Sequence, residues 1–241
     1  MLRLPVIAGT IHRRVLVNYR CDPSALAALL PPPFRPKLVS GFGVAGICLI
    51  RLHDIRPRGL PAFVGISSEN AAHRIAIEWT DAAGTVREGV YIPRRDSSSL
   101  LNHLAGGRVF PGVHHRATFD VAETDTTVRV DLRSNDGDTA VHVDGEVAAD
   151  LPSGSIFPSV EAASEFFRGG SVGFSPAAGD GSAVDGMELR TKQWHVTPLA
   201  VREVRSSFFD DPARFPAGTA VFDNALLMRD VEHEWHANPA P

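Results

Sequence analysis

The sequence predicts a single, mainly antiparallel β domain with a few short helices closing its openings. Strand-like runs outnumber helix-like ones, an Asp-Gly turn joins two alternating runs, and every helical segment is short and stopped by Pro or Gly. In chain order, Arg14–Tyr19 is a compact apolar strand. Asp22-Pro23 then supplies an N-cap and a first-turn proline for a helix over Ser24–Leu30, which Pro31-Pro32-Pro33 ends. Strands follow at Gly43–Leu52, His73–Trp79 and Val86–Ile92. A second helix is predicted over Ser97–Leu104, capped by Asp96 or Ser97 and stopped by Gly106-Gly107. Val128–Arg133 and Ala140–Val143 alternate apolar and polar residues around Asn135-Asp136-Gly137-Asp138, a hairpin signature. The third helix spans Ser159–Arg168, the stretch Ser175–Gly186 reads as a flexible loop, and late strands cover Met187–Val196 and Thr219–Met228. The domain spans residues 1–241, with 236–241 expected to fray.

Composition narrows the chemistry. The 241 residues carry a formal net charge of -4, and 22 of the 24 basic residues are arginine, leaving Lys37 and Lys192 as the only lysines. A lysine nucleophile therefore has two possible sources, while arginine supplies permanent positive charge. The mild acidity argues against nucleic acid as a partner. No apolar run is long enough for a membrane helix, and Met1–Pro5 lacks a signal-peptide core. Cys21 and Cys48 sit in apolar stretches and read as reduced, buried thiols of a cytoplasmic protein.

Several motif matches carry little. Gly41–Gly46 fits a dinucleotide fingerprint but runs into the strand-like Ile47–Ile50 instead of a helix, so it reads as a turn entering a strand. Gly169–Gly173 fits a nucleophile elbow but follows a helix. His114 and His115 would point to opposite faces of a strand, and His233 with His236 lies near the terminus. No metal or other cofactor is expected.

Two segments together resemble the acetoacetate decarboxylase-like superfamily. His12–Pro23 leads into Leu29-Leu30-Pro31, and Leu49–Asp54 continues the pattern. Glu88–Arg95 then lies where the decarboxylases carry Tyr-Pro-Lys-Lys. Gly89-Val90-Tyr91 with Asp96-Ser97, Glu69-Asn70…Arg74 and Ser206–Asp210 are similar to the YqjF-like branch of unknown function. The resemblance covers roughly residues 5–236. It implies a mainly β (α+β) fold, a cone-shaped antiparallel β-barrel with a few short helices around a small-molecule pocket, and an oligomer as plausible.

The resemblance also implies a Schiff-base lysine, but Arg94 and Arg95 occupy the matching pair. A guanidinium does not form an imine. One of the two arginines should face inward, either clamping a ligand anion or paired with Glu69, Glu88 or Asp96. Arg14 best matches the substrate-side arginine, although His12 and Arg13 compete for that register. Glu69 is a candidate acid or base, or an ion-pair partner of Arg74. Tyr91 either donates to a carbonyl or lines the core. Arg74, Glu88, His115 and Trp194 complete the candidate ligand set, with core as the favoured reading of Trp194 and Phe208-Phe209 over an aromatic ligand wall. The expected ligand is a small carbonyl- or carboxylate-bearing molecule, handled by proton transfer such as enolisation, dehydration or cyclisation. The alternatives are Schiff-base chemistry from Lys192, a non-catalytic binding module, and a vestigial pocket on an assembly protein.

Overall fold

The computed structural model describes residues 5–99, 112–177 and 183–238. Among these the chain forms β1 (Ile7–Cys21), α1 (Pro23–Ala27), β2 (Arg35–Pro36), β3 (Leu38–Val39), β4 (Phe42–Pro57), β5 (Ile66–Thr80) and β6 (Val86–Ser97). It continues with β7 (His114–Glu123), β8 (Thr127–Ser134), β9 (Ala140–Val147), α2 (Val160–Gly169), β10 (Val172–Pro176), β11 (Val184–Thr191), β12 (Thr197–Ser206) and β13 (Ala220–Asn238).

The local signals act as chemistry requires. Asp22 Oδ1 accepts the Ser24 and Ala25 amides at the start of α1, and Ser159 Oγ accepts the Ala162 amide at the start of α2. The β8–β9 turn places Gly137 at φ +82°, a left-handed conformation that costs glycine little. In β8, Val128, Val130 and Leu132 are buried while Arg129 and Arg133 are exposed. Gly41, at φ +82°, turns β3 into β4, so the glycine-rich match at 41–46 lies in a β-hairpin.

Hydrogen bonding closes two circuits among the described strands. One runs β13–β1–β4–β5–β6–β10–β11 and returns to β13. The other runs β13–β1–β4–β5–β6–β7–β8–β9–β12 and also returns to β13. The strands β13, β1, β4, β5 and β6 are therefore a shared wall, and successive side chains along it enter different interiors. This explains why β1 is apolar without alternation: Val15, Leu16 and Val17 are each at most 1% exposed. Val15 and Val17 join Ile47, Leu49, Val130 and Val143 in one core, whereas Leu16 packs with Cys48, Ala72 and Leu226 in another. We call these the filled and the open interiors.

Several expectations change. The barrel is not wholly antiparallel, because β6 pairs in parallel with both β7 and β10. Ser175 and Val184 to Gly186 belong to paired strands instead of a loop, since β10 and β11 complete the open circuit. The strand from Met187 stops at Thr191, and His236 to Asn238 are held in β13 against β11. Ser97 ends β6, and most of the helix expected over 97–104 lies outside the described residues. β7 and β12 were not anticipated, because their charged, solvent-facing residues and Pro198 dilute the alternation.

Candidate functional site

The open interior encloses a cavity of about 120 Å³. Its wall takes Arg14 from β1, Cys48 and Ile50 from β4, Asn70 and Arg74 from β5, and Val90, Ile92 and Arg95 from β6. Gly173, Met187 and Leu189 of β10 and β11, with His114 and Trp235, face them. A smaller space of about 30 Å³ shares Arg14, Arg74, Val90 and Gly170 and is roofed by Phe166 and Phe167 of α2.

Three guanidinium groups converge here. Arg14 Nε donates to Cys48 Sγ at 3.0 Å, its guanidinium carbon lies 5.8 Å from the Trp194 ring centre, and its Nη1 is buried with no partner. Arg74, 4% exposed, donates to Asn18 Oδ1 and lies 4.8 Å from the Phe167 ring centre, while its Nε has no partner. Arg95 Nε donates to Ser175 Oγ at 3.1 Å. Burial pulls Arg74 and Arg95 down to about 10, so both remain protonated at neutral pH. Among the described residues no carboxylate forms an ion pair with any of the three. Arg74 is instead linked through Asn18 and Asn224 to Asp223, each amide donating to the next group. Asn18 pairs with Asn224 and Tyr19 with Phe222, so Asp223 occupies a β-bulge.

A second bulge decides which arginine of the adjacent pair enters the cavity. Between the pairs Ile75–Tyr91 and His73–Arg94, β5 advances two residues and β6 three. The extra residue, at Ile92-Pro93, reverses the alternation. Arg95 thereby joins Val90 and Ile92 in the open interior. Arg94 turns away to the buried Asp96, to Asp136 and, at 3.6 Å, to Asp138. Burial alone would lower the Arg94 pKa, but its bonds to Asp96 and Asp136 raise it.

The remaining candidates are dispersed. Glu69 binds Arg13 at 2.6 Å and Arg51 on the opposite face, so the expected pair with Arg74 does not form. Tyr91 is in the filled core, 6.2 Å centre to centre from Phe34. His12 packs edge-on to His53 and approaches Asp230 at 3.6 Å, outside the cavity. His115 binds Asp136 at 2.7 Å. Glu88 pairs with Lys37 at the smaller space, and Trp194 donates to Ser164 while flanking Arg14. Lys192 is 75% exposed in its side chain and paired with Glu232, on the surface and away from the cavity. That placement removes the basis for an imine from this lysine. Phe208 and Phe209 are core, with Phe209 stacked on Tyr19 at 4.1 Å.

The sequence assigns no site role to Asn18, Ser175 or Cys48, the last reading only as a buried thiol, and it offers Lys37 only as a possible lysine nucleophile. Asn70 was quoted only as part of a motif. No group of three potential metal-ligating side chains occurs among the described residues, and no described helix is long and apolar enough to cross a membrane.

This architecture matches solved structures over most of their length. An acetoacetate decarboxylase-like enzyme from Sphingomonas wittichii RW1 superposes with a TM-score of 0.65 at 12% identity, covering 99% of this chain and 93% of that one. The acetoacetate decarboxylase of Legionella pneumophila subsp. pneumophila gives 0.61 at 14% identity, with 98% and 87% covered. The enduracididine biosynthesis enzyme MppR complexed with pyruvate gives 0.61 at 10% identity, with 100% and 91% covered. Identities this low establish the acetoacetate decarboxylase-like fold and nothing finer. No functionally curated protein is detectably similar in sequence. One family profile, DUF2071, described as an uncharacterized conserved protein, matches residues 9–219, and the chain belongs to that family.

Proposed function

We propose that the open interior binds a small carboxylate-bearing metabolite, with Arg14, Arg74 and Arg95 as its counter-charges. The observation that carries this reading is the convergence of three arginines on one cavity, none of them ion-paired among the described residues, while Asp96, which also lines the cavity, is bound to Arg94. Buried cations without partners are costly, and a ligand anion relieves that cost. A cavity of about 120 Å³ suits a molecule of roughly six non-hydrogen atoms, since an apolar cavity of about 150 Å³ accepts benzene. The pyruvate-bound structural neighbour has a ligand of this class.

The chemistry that fits is proton transfer without an imine. The arginines stabilise an enolate as charge develops on its oxygen, and His114, on the cavity wall, moves the proton. Melting curves at fixed ionic strength test the binding step. Propionate and pyruvate should raise Tm while propionamide leaves it unchanged, and Arg95→Met should abolish the difference. Equal shifts from the acid and the amide would overturn the reading. Deuterium exchange at the carbon beside the pyruvate carbonyl, followed by NMR, tests proton transfer; a rate no faster than in buffer would leave a binding function only.

A further inference from the structure

We propose that Cys48 is the nucleophile of this cavity, adding reversibly to the carbonyl carbon of a keto- or aldehydo-carboxylate held by the arginines. The inference rests on the carboxylate-binding reading and adds a covalent step to it. Cys48 lies on the wall of the cavity, and its sulfur accepts a hydrogen bond from Arg14 Nε at 3.0 Å. Positive charge beside the sulfur is the general requirement for a nucleophilic cysteine. An independent observation marks the same space as a ligand site: Arg74, 4% exposed, lines it with an unpartnered Nε.

The position of Cys48 follows from register. Leu16, Cys48 and Ala72 pair across β1, β4 and β5, one step from the Arg14–Ile50–Asn70 row. A carboxylate on Arg14 therefore sets its neighbouring carbonyl beside the sulfur. In the addition, a C–S bond forms, the carbonyl π pair moves to oxygen, and the thiol proton ends on that oxygen. The product is a thiohemiketal, or a thiohemiacetal from an aldehyde; nothing is oxidised, and no co-reactant is consumed. The step gives the cavity a covalent intermediate although neither lysine lines it.

The chain contains its own control. Cys21 is equally buried, but in the filled interior, where burial pushes its thiol up to about 12. Alkylation by iodoacetate and iodoacetamide, read by mass analysis of each cysteine, tests the site. In each case the sulfur displaces iodide, which leaves with the bonding pair. Relative to the urea-unfolded chain, the iodoacetate-to-iodoacetamide rate ratio at Cys48 should rise at least about tenfold, as charged clefts concentrate counter-ions 10- to 1000-fold. Cys21 should stay unmodified, and propionate should protect Cys48. Carbonyl-labelled ¹³C-pyruvate should show a bound tetrahedral carbon in the wild type that Cys48→Ser lacks. If Cys48 shows no preference for the anionic reagent, or no such carbon forms, the proposal fails. Stabilisation by propionate separates the two readings. If it persists, only the cysteine step is lost; if it is absent, carboxylate binding and the cysteine step fall together.

Discussion

The two interiors share a wall but solve the problem of buried charge differently. In the filled one, the fully buried Arg13, together with Arg51 and Arg229, is neutralised by Glu69 and Glu123, and Arg94 by Asp96 and Asp136. In the open one, Arg14, Arg74 and Arg95 meet hydroxyl, amide and thiol groups instead. The same residue type is ion-paired on one face and, among the described residues, without a carboxylate partner on the other. Side-chain parity, more than residue identity, separates the roles.

The largest expected effect lies in the filled interior. Glu69→Gln leaves Arg13 and Arg51 to share Glu123 and should cost about 3–5 kcal/mol in urea unfolding, as broken buried ion pairs do. A loss below about 1 kcal/mol would mean that water reaches the cluster and that the contrast is false. Acid should act on the same side. His73 lies 4.6 Å centre to centre from Phe208; burial, then Arg94 and Arg214, hold its pKa near 3. The folded value is below the unfolded one, near 6.5, so the unfolded chain binds the extra proton between these limits. Stability therefore falls as pH falls through that window, by about 3 kcal/mol from this group at pH 4.5. His73→Gln should flatten that part of the profile; an unchanged slope would refute the assignment.

Smaller effects belong to the open interior. Asn224→Leu removes the acceptor of the Asn18 amide and should cost about 1–3 kcal/mol, with carboxylate affinity reduced because Asn18 also orients Arg74. Unchanged affinity would show that Arg74 holds its position unaided. Arg95→Met should stabilise the unliganded protein by about 1 kcal/mol, since it removes a cation that has no carboxylate partner. Destabilisation would indicate that Arg95 is structurally required.

Much of the fold was legible because it depends on local signals. The Asp22 and Ser159 caps, the Gly137 turn and the alternation of Val128, Val130 and Leu132 each announce themselves within a few residues. The apolar β1 and β4 announced burial but not that they face two interiors. The site was legible in part. Arg14, Arg74 and the Arg94–Arg95 pair were visible as candidates, but Glu69 binds Arg13 and Arg51 instead of the expected Arg74. Cys48 carried no sequence signal beyond an apolar setting. Its place beside Arg14 depends on β1 and β4 being in register, a long-range relation that no short window contains. The choice between Arg94 and Arg95 depends on one extra residue, and alternation read from sequence assumes there is none.

That extra residue makes β6 work like a reading frame. Straightening the bulge with Pro93 in place would exchange the two arginines, whereas deleting Pro93 removes the extra residue and leaves Arg95 facing the cavity. The local geometry of the strand, more than the order of its residues, thus decides which guanidinium faces the cavity. The same logic tells an engineer where to place an amine. A lysine installed at position 95 would enter the cavity, while one at 94 would meet Asp96 and Asp136 and take no part in its chemistry.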